Sequence, residues 1–102
     1  MQDVDEVDTP TRPRPARGLG PEALAALREV FAQDLPSRVT ALRSPDPAQA
    51  GRAAHTVGSS AFLVDEPDLA RAARAVEQLV LTGAPWTEDA RLLAGRLEAW
   101  RP

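Results

Sequence analysis

Residues 50–64 read AGRAAHTVGSSAFLV, and this stretch decides the fold class of the chain. At about 100° per residue, its apolar side chains fall on one face of a helix. These are Ala50, Ala53, Ala54, Val57, Ala61 and Val64. The only histidine, His55, falls outside that face. Its side of the helix also holds Gly51, Gly58, Ser59 and Phe62. The pattern predicts an amphipathic helix with an imidazole away from its apolar face.

Three further stretches show the same helical period, with apolar residues recurring every three or four positions. The first runs from about Pro21 to Arg43, and Pro36 inside it predicts a kink or a split near Asp34. Asp46 and Pro47 are typical of the start of a helix, here the one that contains His55. The remaining stripes start at Leu69 and at Ala90. Four amphipathic helices with short connections predict an all-α, antiparallel four-helix bundle over residues 19–102.

Composition restricts the function classes. The chain has 102 residues, which suit one domain. Residues 1–18 are acidic and proline-rich, and we expect a disordered tail or tether there. The net charge of −3 and the dispersed arginines do not favour nucleic-acid binding. No apolar run is long enough for a membrane span, and the acidic start lacks the basic region of a signal peptide, so we expect a cytoplasmic protein.

His55 is the candidate for chemistry. A neutral imidazole presents one unprotonated ring nitrogen as a nucleophile, while its other N–H can be held by an acceptor. Glycine inside a helix costs roughly 0.5–1 kcal/mol against alanine, so Gly51 and Gly58 predict that something comes close to the helix here. Phe62 on the same side predicts a docking contact for a partner. One histidine and no cysteine do not favour a metal site, and no nucleotide-binding loop is present.

The segment from about Leu27 to Leu79 resembles the histidine-containing phosphotransfer (HPt) domains of bacterial two-component phosphorelays. The residues that carry the resemblance are Phe31 to Val39 with its internal proline, Ala53 to Val57 around the histidine, and Leu69, Ala70 and Glu77 downstream without a gap. The resemblance implies that His55 accepts a phosphoryl group from a receiver-domain aspartate and passes it to another receiver. It also implies that Glu77 orients the imidazole. Such a protein is a phosphohistidine carrier rather than an enzyme with its own kinase or ATP site.

The chain departs from the family near the histidine. The family has Lys and then Gly at the third and fourth positions after it, where this chain has Gly58 and Ser59. We expect Ser59 to contact the phosphoryl group and Arg74 to substitute for the missing cation. Gly51, Gly58 and Phe62 are expected on the docking face.

The expected partners are the receiver domains of response regulators, with a hybrid histidine kinase as a further candidate. No cofactor is expected on this chain, and Mg²⁺ would come from the receiver. Two alternatives stay open: a degenerate HPt-like module that binds receivers without phosphotransfer, and a helical partner-binding domain unrelated to signalling.

Overall fold

A computed structural model describes residues 19–102, and the tail predicted over residues 1–18 lies outside this range. The described residues form four α-helices and no strand. They are α1 (Pro21–Leu42), α2 (Pro47–Leu63), α3 (Pro67–Thr82) and α4 (Thr87–Ala99). The structure thereby confirms the predicted all-α, antiparallel four-helix bundle. No helix within residues 19–102 is long and apolar enough to cross a membrane.

Prolines mark the starts of the first three helices. Pro21, Pro47 and Pro67 each lie in the first turn, where a backbone N–H has no partner within the helix and its loss costs nothing. Asp46 precedes α2, and its carboxylate accepts a hydrogen bond from the N–H of Ala48 at 3.0 Å. This contact confirms Asp46 as the N-cap, and it sets where the helix carrying His55 begins.

The first helix is not split at Pro36. α1 continues through this residue as one element, so the expectation of a split near Asp34 is wrong. The physical reason is that the proline ring is exposed, and that only one helical hydrogen bond loses its donor. The buried side chains on both sides of it belong to a single stripe, which keeps the two halves on the same core. They are Phe31, Leu35, Val39 and Leu42.

The core is built from one apolar stripe of each helix. α4 contributes Ala90, Leu93, Ala94 and Leu97. The stripes of α2 and α3 are richer in alanine, which lets these two helices approach closely. Their buried members include Ala50, Ala53, Ala54, Ala61, Ala70 and Ala73. Within residues 19–102 no polar or charged side chain is buried. Polar chemistry is therefore confined to the surface of the bundle.

Arg28 ties three parts of the fold together at one end of the bundle. Its guanidinium donates to the carbonyl of Val64 at 2.7 Å and to the carboxylate of Glu66 at 2.8 Å. It also lies 4.9 Å from the centre of the Trp100 ring, which packs edge-on against Phe31. These contacts join α1 to the α2–α3 connection and to the end of α4. They also show that α1 and α2 are antiparallel, because the beginning of α1 lies beside the end of α2.

The end of α2 requires a left-handed backbone. Asp65 has φ 64°, and it is the only residue other than glycine with positive φ in the described part of the chain. The N–H of Glu66 donates to the carbonyl of Ala61 at 2.8 Å, which closes a Schellman motif. α3 ends in the same way on Gly83, with φ 74°. An aspartate thus occupies a conformation that glycine adopts at lower cost.

We expect Asp65→Gly to raise the free energy of unfolding by about 0.5–1 kcal/mol, because glycine has no Cβ to strain at this φ. Gly83→Ala should lower it by a similar amount for the opposite reason. Urea unfolding followed by circular dichroism measures both changes. Gly95→Ala is the control, because Gly95 lies within α4 with open space where a Cβ would be, and it should stabilise. A less stable Asp65→Gly variant would show that the carboxylate contributes more than the backbone strain costs.

Candidate functional site

His55 lies in the middle of α2 with its ring in solvent. The side chain is 68% exposed. Its chain neighbour Ala54 has no exposed surface, because it lies on the opposite, apolar face of the helix. The structure thereby confirms that the imidazole stands away from the core. A ring this exposed can be reached by a group carried on another protein.

Glu77 on α3 holds one of the two ring nitrogens of His55. The distance from Nδ1 to Oε2 of Glu77 is 2.9 Å. Because a carboxylate only accepts hydrogen bonds, the proton in this contact belongs to Nδ1. A neutral imidazole carries one ring proton, so Nε2 is left with a free lone pair. The Glu77 side chain is only 26% exposed, which limits competition from water for this hydrogen bond.

α3 brings Glu77 to this place because it runs antiparallel to α2. The contacts of α2 show the register: Gly51 lies against Val80, and Gly58 lies against Ala73. His55 falls between the two glycines in sequence, and Glu77 falls between Val80 and Ala73. The same helix pairing therefore places the carboxylate opposite the imidazole.

The two glycines serve the contact between α2 and α3. A Cβ built on Gly51 would lie 3.2 Å from Cγ1 of Val80. A Cβ built on Gly58 would lie 3.6 Å from Cβ of Ala73 and 3.6 Å from Cγ of Arg74. The element that comes close to them is thus a helix of the same chain. Gly58 is buried, so the expectation that it forms part of an exposed docking face is wrong; Gly51 stays partly exposed.

Arg74 and Phe62 form an exposed pair next to the buried Gly58. The guanidinium of Arg74 lies over the Phe62 ring, 5.9 Å from its centre. Phe62 is 47% exposed, in agreement with its predicted place on the surface. Helical side chains lean toward the N-terminus of their own helix. On the antiparallel α3 this direction leads toward the end of α2, which is where Phe62 lies.

Ser59 lies one turn after His55 on the exposed side of α2. Ser59 is exposed. Residues four apart in a helix are neighbours on its surface. The hydroxyl is therefore available to a group bound near His55, as its predicted role requires.

A groove beside His55 holds residues that sequence reasoning missed. It runs between the beginning of α2 and the end of α3, and His55 and Glu77 line it together with Arg52, Val80 and Leu81. Leu81 is 71% exposed. The sequence could have pointed to Leu81, because this leucine lies outside the apolar stripe of α3. For Arg52 the signal was its spacing of three residues before His55.

The ring nitrogen of His55 that is not held by Glu77 limits which chemistry the site can perform. Within residues 19–102, no group of three or more histidine, cysteine, aspartate or glutamate side chains is placed to hold a metal ion. No protein-family model, curated protein or solved structure matches the chain. The geometry of the site itself offers an exposed imidazole whose Nδ1 is held by the carboxylate of Glu77.

We expect Gly58→Leu to destabilise the bundle by about 1–3 kcal/mol, because the added side chain has no space between α2 and α3. Gly58→Ala should be tolerated, since its Cβ would make contacts of ordinary length. Thermal and urea unfolding measure the difference. Gly95→Leu is the matched control, a glycine of α4 with open space around it. A Gly58→Leu variant as stable as the wild type would contradict the placement of Gly58 in a packed interface.

Proposed function

We propose that this protein is a phosphotransfer protein of the HPt type, in which His55 receives a phosphoryl group from an aspartyl phosphate and returns it to another aspartate. The observation that carries the proposal is the 2.9 Å contact between Nδ1 of a largely exposed His55 and the carboxylate of Glu77. In the neutral ring this contact makes Nε2 the nitrogen without a proton, on a side chain that is 68% exposed. Those are the two requirements for a nucleophilic imidazole.

The transfer step uses this arrangement directly. The Nε2 lone pair forms a nitrogen–phosphorus bond while the bond from phosphorus to the acyl oxygen of the aspartyl phosphate breaks. The donor aspartate leaves as a carboxylate. Nδ1 keeps its proton, and the carboxylate of Glu77 balances the positive charge that develops on the ring. Transfer to a second aspartate is the same step in reverse.

The partner must supply what this chain lacks. Phosphoryl transfer depends mainly on in-line positioning and on neutralising the charge of the phosphoryl oxygens. A receiver domain that holds Mg²⁺ next to its acceptor aspartate brings both. An imidazole on a convex helix face suits such a partner, because the ring can enter a cleft. The proposal makes the protein a carrier in bacterial two-component signalling, working in the cytoplasm and without its own turnover.

One observation favours a second candidate, a module that binds receivers without transferring phosphate. HPt domains carry a lysine at the position of Gly58, and Gly58 is buried against α3. No lysine exists elsewhere in the chain. A domain without a cation for the phosphoryl group would keep the shape of the family and lose the reaction. The two candidates differ in whether His55 becomes labelled.

The test uses the full chain and a panel of receiver domains charged with radiolabelled phosphate. We expect acid-labile, alkali-stable label on the wild type and none on His55→Ala. Thr56→Ala is the matched control, a neighbour on the same helix, and it should accept label like the wild type. Circular dichroism should show that all three proteins are folded equally.

Two results would contradict the proposal. One is label retained by His55→Ala. The other is no label on the wild type from receivers that do phosphorylate a known HPt domain. Stoichiometric binding of a receiver in that second case would establish the binding module instead.

A further inference from the structure

A phosphoryl group on His55 would be repelled by the carboxylate of Glu77. The phosphoryl group brings about two negative charges next to a ring whose Nδ1 already faces a carboxylate. The phosphoryl group and the Glu77 carboxylate would be separated only by the imidazole ring, so their repulsion is costly unless a cation lies close to one of them. Any assignment of that cation to a residue of this chain rests on the proposed function, because the need arises only when His55 carries phosphate.

Helix geometry separates the surroundings of His55 into two sides. At about 100° per residue, Gly51 and Gly58 lie roughly 40–60° to one side of His55. Both contact α3, so this is the side of Glu77. By the same count, Arg52 and Ser59 lie roughly 40–60° to the other side.

The two ring nitrogens of His55 also face these two different sides. The Nδ1 and Nε2 positions of an imidazole direct their bonds in nearly opposite directions. Because Nδ1 is held by Glu77 on the α3 side, Nε2 is directed away from α3. A phosphoryl group on Nε2 therefore enters the side of the helix that carries Arg52 and Ser59.

Arg52 is placed to meet this group. It lies one turn before His55, it is exposed, and together with His55 it lines the α2 wall of the groove whose α3 wall holds Glu77. Within residues 19–102 its guanidinium pairs with no carboxylate. An arginine on a helix leans toward the helix N-terminus, so the guanidinium of Arg52 has to swing back toward His55, and its three-carbon stem is long enough to reach a neighbour three residues away. An arginine can bind two phosphoryl oxygens at once.

Arg74, the cation expected from the sequence, is placed differently. It belongs to α3, on the side of Nδ1 and Glu77, and its guanidinium lies over the Phe62 ring. Moving it to Nε2 would break that contact and carry the side chain past Gly58. Its place beside Phe62 leaves Arg52 as the better positioned charge.

We propose that Arg52 binds the phosphoryl group on Nε2 of His55 and neutralises it, with the Ser59 hydroxyl as a second donor on the same side. Its ligand class is a phosphoryl dianion, first on the incoming acyl phosphate and then on the imidazole. Arg52 thereby supplies the positive charge of the lysine that the chain lacks. It does so from the turn of α2 before His55, whereas the family lysine lies in the turn after the histidine.

The test uses phosphoramidate, a small donor that transfers its phosphoryl group to histidine and releases ammonia, so that no partner surface contributes. Phosphohistidine formation is followed by ³¹P NMR on the full chain. Arg52→Ala should slow labelling of His55 about ten-fold or more, a loss of about 1.4 kcal/mol of transition-state stabilisation. Arg52→Lys should recover to within about three-fold of wild type, because it restores the charge. Arg91→Ala, which removes an exposed arginine of α4, is the matched control and should behave as wild type.

The outcomes separate the role of Arg52 from the proposed function. Wild-type labelling of His55 with an unchanged rate in Arg52→Ala overturns the role of Arg52 and leaves the proposed function standing. If labelling of His55 slows in Arg74→Ala and not in Arg52→Ala, the neutralising charge belongs to Arg74 on α3. This result also overturns the role of Arg52. A wild-type protein that takes no label on His55 refutes the proposed function, and the role of Arg52 with it. Equal circular dichroism and unfolding curves for all variants show that the rates do not report misfolding.

Discussion

The close approach of α2 and α3 is the constraint on which the candidate site depends. Two glycines of α2 and the small side chain of Ala73 let the helices come together, with Val80 filling the space at Gly51. This spacing brings the Glu77 carboxylate within 2.9 Å of Nδ1 of His55. We expect a larger side chain in this interface to push the two helices apart and to weaken the hydrogen bond between Glu77 and His55. Packing of the interior therefore determines the chemistry of an exposed ring.

The two faces of α2 have different roles in the bundle. The alanine face is buried and contributes to a core that contains no polar side chain within residues 19–102. The opposite face carries His55, and its exposure costs the fold little because no core contact depends on the ring. α1 and α4 stabilise the scaffold at a distance, through the contacts of Arg28 and Trp100 and through an exposed ion pair of Arg43 with Glu98. The hydrogen bond from Arg43 lowers the pKa of the Glu98 carboxyl.

The sequence allowed the helices and the central residue of the site to be predicted, because periodicity and a lone histidine are local signals. Three features depended on tertiary packing and were not predictable. α1 passes through Pro36 unbroken because one buried stripe spans both halves. Gly58 is buried because α3 approaches from its side, and the direction of that approach is absent from the pattern of α2. Arg74 lies over Phe62 because the register of α3 on α2 sets it against Gly58, and neither helix shows this register in its own pattern.

The proposed transfer requires that Nε2, and not Nδ1, is the nitrogen that reacts. Heteronuclear NMR of the phosphorylated, ¹⁵N- and ¹³C-labelled protein tests this directly, because the coupling of ³¹P to ring atoms differs between the two positions. We expect the phosphoryl group on Nε2 of His55, with Nδ1 still protonated and hydrogen-bonded to Glu77. A phosphoryl group on Nδ1, or on any other residue, would contradict the assignment of Nε2 as the nucleophile.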